Sequence, residues 1–148
     1  EREGYELYIY GNVSDEGLGV KINRMRSVFV YQHVGSKELC GYLMKLSMKY
    51  RLIGFSMIKD VHYSYKTQEA NKDIDYLAMG VPIVGNHREP TEEKIKSNCG
   101  VFIEDSKGIL DLVNDDEFYD VMSNSCLDYY SRRYSLDRYD AKLMGVIE

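Results

Sequence analysis

Five short apolar runs, each separated from the next by a polar or helix-patterned stretch, limit what this chain can fold into. They are Tyr5–Gly11 (YELYIYG), Val28–Val34 (VFVYQHV), Arg51–Ile58 (RLIGFSMI), Val81–Gly85 (VPIVG) and Gly100–Glu104 (GVFIE). Each is nearly continuous in apolar or aromatic residues, as strands buried on both faces are. Strands of that kind belong to parallel sheets, where the connections lay helices over both sides.

The intervening segments fit that expectation. Residues 12–27 are polar and glycine-spaced, a loop with a short helix. Ser36 is an expected N-cap for a helix with the stripe Leu39, Leu43 and Leu46, flanked by Cys40 and Met44. Residues 59–71 are polar and without period. Asn71 is expected to cap a short helix from Lys72 to Met79, which Gly80 stops, with Pro82 just beyond. Thr91 opens another short helix. A turn after Ser106, a helix near 116–131 and a last helix from Ser135 carrying Leu136, Tyr139, Leu143 and Ile147 complete the chain. The fold class expected is α/β: one Rossmann-like domain over 1–148, a three-layer α/β/α sandwich around a mainly parallel sheet. Ligands of such sheets sit beyond the carboxyl ends of the strands, so the loops after Gly11, Val34, Ile58 and Gly85 are the ones to watch.

Composition narrows the function classes. A net charge of −5 supplies no excess of Lys and Arg for phosphate backbones, so nucleic acid is not an expected partner. Cys40, Cys99 and Cys126 are odd in number and far apart, which suits reduced, mostly buried thiols better than a disulfide framework or zinc site. His33, His62 and His87 likewise lack ligand spacing. There is no apolar run of membrane-spanning length and no signal peptide, which gives a cytoplasmic expectation. The opening Glu1-Arg2-Glu3-Gly4, without methionine, reads as the start of a piece of a longer protein.

Residues 71–85 read NKDIDYLAMGVPIVG. This segment resembles the sugar-nucleotide motif of retaining glycosyltransferases with two Rossmann-like halves, the GT-B architecture. There the pattern runs Lys, two residues, Glu, Tyr-Leu-Ala, any residue, Gly, any residue, Pro-Val-Val. Lys72 falls on the family's lysine and Asp75 on its glutamate, while Tyr76, Leu77, Ala78, Gly80, Pro82 and Val84 fall on the helix and strand that follow. ELYIYG, VFVYQHVGSKEL, GVFIED and the tail from Tyr134 are similar to further segments of the same domain, in the same order. Leu136 takes a position usually held by tryptophan.

The resemblance implies the donor-binding, carboxyl-terminal half of a glycosyltransferase, with a sugar moving from a nucleotide-diphosphate donor to a glycan or lipid-linked acceptor held by another domain. Residue chemistry agrees. A helix N-terminus and Lys72 suit a diphosphate, and the two oxygens of Asp75 suit a ribose diol. Asn71 and Asp73 flank Lys72 at the helix start. Thr67 stands eight residues before Asp75, where many relatives place a glutamate near the sugar, with Glu69 close by. His33 and Gly35 lie in the loop whose backbone meets the base in the family, and Arg88, after the fourth strand, is in reach of a diphosphate. No catalytic residue is assigned, and no metal or cofactor is expected besides the donor itself. The whole enzyme would be cytoplasmic, with peripheral seating at the membrane face as a further expectation. The rival that stays open is a non-catalytic nucleotide-binding or interaction module on the same fold. A phosphorelay receiver does not fit, because neither Gly11-Asn12-Val13 nor Glu104-Asp105-Ser106 supplies its acidic pair and lysine.

Overall fold

The computed structural model describes residues 6–10, 28–31, 35–57 and 67–134. The chain divides into two compact units, Glu1–Leu39 and Cys40–Glu148. In the first, strands β1 (Leu7–Tyr10) and β2 (Val28–Tyr31) pair in parallel, Leu7 opposite Val28 and Tyr10 opposite Tyr31. Helix α1 (Ser36–Ser47) crosses the division between the units. Ser36, the expected cap, is its first residue, and the cap falls one residue earlier: the Leu39 N–H donates to Gly35 O at 2.9 Å, and Glu38 accepts from the Gly35 N–H at 3.3 Å.

The second unit is built on a parallel three-stranded sheet in the order β3 (Gly54–Ser56), β4 (Ile83–Gly85), β5 (Gly100–Phe102). The fold is thus α/β with parallel strands, and each expected run contains a strand among the described residues. The register sets Ser56, Gly85 and Phe102 side by side at the carboxyl rim. Helix α2 (Asn71–Ala78) leads into β4, and α3 (Glu89–Lys96) leads from β4 to β5. Helix α4 (Ser106–Asn114) is more than the expected turn. Its N-cap is Asp105, whose carboxylate accepts from the Gly108 N–H at 2.9 Å, and Ile109, Leu112 and Val113 follow at helical spacing. Helix α5 (Asp116–Tyr134) is capped by Asp115, which accepts from the Phe118 N–H at 3.0 Å. The expected last helix from Ser135 lies outside the described residues.

Two clusters make the core of this unit. Val84, Val101, Leu112 and Met122 form one, covered by Ile53, Ile103, Ile109, Phe118 and Tyr119. Leu77 of α2 joins Cys99 and, from α5, Cys126 and Tyr129 in the other. Each fully buried Leu or Ile here contributes about 1.5–3 kcal/mol relative to exposure. At the far end, Arg51 donates to Val113 O at 2.6 Å and pairs with Asp116, while the Tyr119 hydroxyl donates to Leu52 O at 2.9 Å. These contacts fasten the approach to β3 onto the α4–α5 junction.

The stop of α2 is the local feature read most directly from sequence. Gly80 has φ +64°, its N–H donates to Leu77 O and the Val81 N–H donates to Tyr76 O, the double closure of a Schellman motif. Helix α3 ends the same way with Asn98 at φ 62°, the Asn98 N–H on Ile95 O and the Cys99 N–H on Lys94 O.

Candidate functional site

The motif helix α2 starts beside the carboxyl rim of β3 and β4. Its N-cap is Ala70, not Asn71, and no side chain caps it. Asn71 is exposed and Lys72 half-buried. The third helical residue, Asp73, points inward with Leu77 one turn on, and both are fully buried. A buried aspartate must find donors or become protonated. Asp73 finds them on β3 and on α3 with its N-cap residue. Its Oδ2 accepts from the Ser56 hydroxyl at 2.7 Å and lies 3.4 Å from Lys94 Nζ and 3.7 Å from Arg88 Nη2.

The two cations are held as closely. Arg88 is 5% exposed, donating through Nη2 to Ser56 Oγ at 3.2 Å and Thr91 Oγ1 at 3.0 Å, and through Nη1 to Gln68 O at 3.2 Å. Lys94 is fully buried and donates to Pro90 O at 3.2 Å, with Glu69 Oε1 2.7 Å away. Glu69 also accepts from the Tyr134 hydroxyl. Burial pushes the Glu69 carboxyl up, but hydrogen bonds from Lys94 and Tyr134 and the charges of Lys94 and Arg133 outweigh it and leave it below its ordinary range. Gly85 lets α3 come this close, since a Cβ there would meet Thr91 Cγ2 at 2.6 Å. Asp73 Oδ1 is buried and accepts no hydrogen bond among the described residues.

The structure therefore gathers four of the expected site residues: Lys72, Asp73, Glu69 and Arg88. Asp73 pairs with Arg88 and Lys94, and Lys94 carries the chain of contacts on to Glu69, so the four form one ionic hub. Lys72 borders it: half-burial pushes its ammonium down, the Asp73 charge opposes this and the Arg88 charge adds to it. Asp75, three residues on, is half-buried and near α1, where burial and then the Asp75 charge push the Cys40 thiol up. Thr67 is exposed and enters no interaction with the hub among the contacts of the described residues. Gly35 is exposed and belongs to the first unit, and His33 lies outside the described residues.

Sequence reading missed Ser56, Thr91 and Lys94. A signal existed for the last. A helix joining two buried strands must bury a face, and α3 (EPTEEKIK) offers only Pro90 and Ile95 as apolar residues. Its inner face had to carry polar groups with partners inside. His87 is a further rim residue. Its ring stacks on Phe102 at 4.0 Å, with Nδ1 3.6 Å from Glu92 and Nε2 3.9 Å from Glu104.

Among the described residues no three His, Cys, Asp or Glu side chains gather as a metal ion would require, and no helix is long and apolar enough to cross a membrane. No protein-family profile, curated protein sequence or solved structure matches the chain.

Proposed function

We propose that the chain is the donor-binding half of a GT-B-type glycosyltransferase, a three-layer Rossmann-like domain that works in the cytoplasm or at its membrane face. It would hold a nucleotide-diphosphate sugar for transfer to a glycan or lipid-linked acceptor. One observation carries this reading. The motif segment 71–85 folds as helix, left-handed glycine turn and central buried strand, with Lys72 at the second helical position beside a rim of buried polar groups.

In this reading the first turn of α2, free of a side-chain cap, and the Lys72 ammonium receive the diphosphate. An arriving anion favours the charged form of Lys72, reversing the effect of its burial. Asp75 accepts from the ribose hydroxyls. When the bond between the sugar's anomeric carbon and the diphosphate oxygen breaks, Lys72 stabilises the charge left on the leaving group. The hub does none of this directly. It pins α2 to β3 and α3, so that Lys72 and Asp75 are carried on a fixed helix.

The hub's internal pairing favours a second reading. Asp73 and Glu69 are matched by Arg88 and Lys94, which leaves the cluster free to serve only the fold of a non-catalytic interaction module. Titrating the protein with uridine and guanosine diphosphates and their sugars, by ligand-observed NMR with and without a chelator, separates the two. The glycosyltransferase reading expects binding that is indifferent to chelation. No binding by either nucleotide supports the module, and a large loss on chelation points to a metal-dependent site of another architecture.

A further inference from the structure

We propose that Cys99 and Cys126 are a redox couple that closes into an intramolecular disulfide, fastening the entry of β5 onto α5. They are 27 positions apart in sequence, yet the Cys126 thiol donates to Cys99 O at 3.5 Å and the Cys99 thiol lies 3.6 Å from Ser125 O. Both are free thiols, both are fully buried, and they share one core cluster with Leu77 and Tyr129. Each sulfur thus lies against the backbone of the other cysteine or of its neighbour, and side-chain rotation is the motion that would bring the two to the bond length of about 2.05 Å. The backbones on either side are held by the Schellman closure at Asn98–Cys99 and by the middle of α5.

The two sulfurs are not equivalent. The neighbouring Cys126 thiol lowers the Cys99 thiol, burial opposes it, and the charges of Lys94 and Arg132 assist. The Cys99 thiol beside it and burial push Cys126 up. Cys99 is therefore the attacking thiolate. With a hydroperoxide as oxidant, its sulfur attacks the O–O bond, becomes a sulfenic acid and releases hydroxide, which takes up the proton of the former thiol. The Cys126 sulfur then attacks the sulfenic sulfur and expels a second hydroxide, which takes the Cys126 proton. Two thiols are oxidised to one disulfide, and hydrogen peroxide is reduced to two waters.

The link lies next to the ionic hub on both sides. The Cys99 N–H is bonded to Lys94 O, and α5 ends at Tyr134, which is bonded to Glu69. Oxidation would thus hold α3 and α5 together around Lys94.

The test uses the full chain with Cys40→Ser, which removes the third thiol. After treatment with hydrogen peroxide, alkylation under denaturant and peptide mapping should find Cys99 linked to Cys126, reversibly with dithiothreitol. The melting temperature should rise by roughly 10 °C. In Cys126→Ala the same treatment should stop at a Cys99 sulfenic acid that dimedone traps, with no rise in melting temperature. Full alkylation of both thiols, at peroxide levels that oxidise Cys40 in the wild type, would overturn the proposal. So would irreversible oxidation of Cys99 without a link, or an equal rise in melting temperature in Cys126→Ala. If that variant does not fold, the linked peptide in Cys40→Ser decides the matter.

Discussion

Asp73 shows what a single side chain contributes here. It occupies a first-turn position where an exposed acid would gain a few tenths of a kcal/mol from the helix dipole, and is fully buried instead. Its carboxylate is the charge partner shared by Arg88 and Lys94, so removing it takes a buried anion from both cations at once. Asp73→Ala should lose about 3–5 kcal/mol of stability, read as a lower denaturant midpoint, the range for breaking a buried ion pair. Glu69 gives a prediction in pH. Its carboxyl is held below its ordinary value of 4.5 in the folded state, so its contribution is complete above pH 4.5 and is lost as pH falls below it. Glu69→Gln should therefore flatten the acid side of the stability profile and leave the slope near neutral pH alone. An unchanged acid limb would contradict the pairing with Lys94 and Tyr134. Beyond the polar inner face of α3, this pairing was not legible from sequence, because Asp73 meets Ser56 at 17 positions' separation and Lys94 at 21. Position after the fourth strand put Arg88 in reach of a diphosphate, and nothing local shows that its side chain is buried against Asp73.

At the scale of elements, legibility follows how local the signal is. Helix α2, its glycine stop and β4 were readable because Gly80 and Pro82 set backbone angles by themselves. Gly80→Ala should cost about 1–2 kcal/mol for the left-handed backbone. It should cost more as its Cβ meets Ser123 Oγ at 2.9 Å and Leu127 Cγ at 3.2 Å. A fall in denaturant midpoint at constant m would show it, and an unchanged midpoint would contradict the left-handed conformation. The start of α3 was read two residues late, at Thr91, although Pro90 in its first turn is a start signal in its own right. Helix α4 was reduced to a turn despite an Asp cap and the spacing of Ile109, Leu112 and Val113, a signal present in the sequence and passed over. The N-cap of α2 went to Asn71 because asparagine caps well, whereas the chain places Ala70 there and turns Asp73 inward.

Over the whole molecule, the parallel α/β class followed from strands apolar on both faces, which β4 illustrates by being buried throughout. The site was half legible. Its place at the carboxyl rim and its helix came from pattern, while the hub beneath came from tertiary contacts that no local rule encodes. In the donor-binding reading Lys72 and Asp75 present two different chemistries to one ligand, which binding by two single variants against three ligands tests. Asp75→Asn should weaken a nucleoside diphosphate by about ten- to a hundredfold, the worth of charge-assisted hydrogen bonds at roughly 1.5–3 kcal/mol, and leave pyrophosphate untouched. Lys72→Ala should weaken pyrophosphate and the nucleoside diphosphate alike and hardly change the bare nucleoside. Both variants should melt with the wild-type transition, since neither residue belongs to the hub. If both bind all three ligands as the wild type does, α2 is a structural helix, and the donor-binding reading is contradicted.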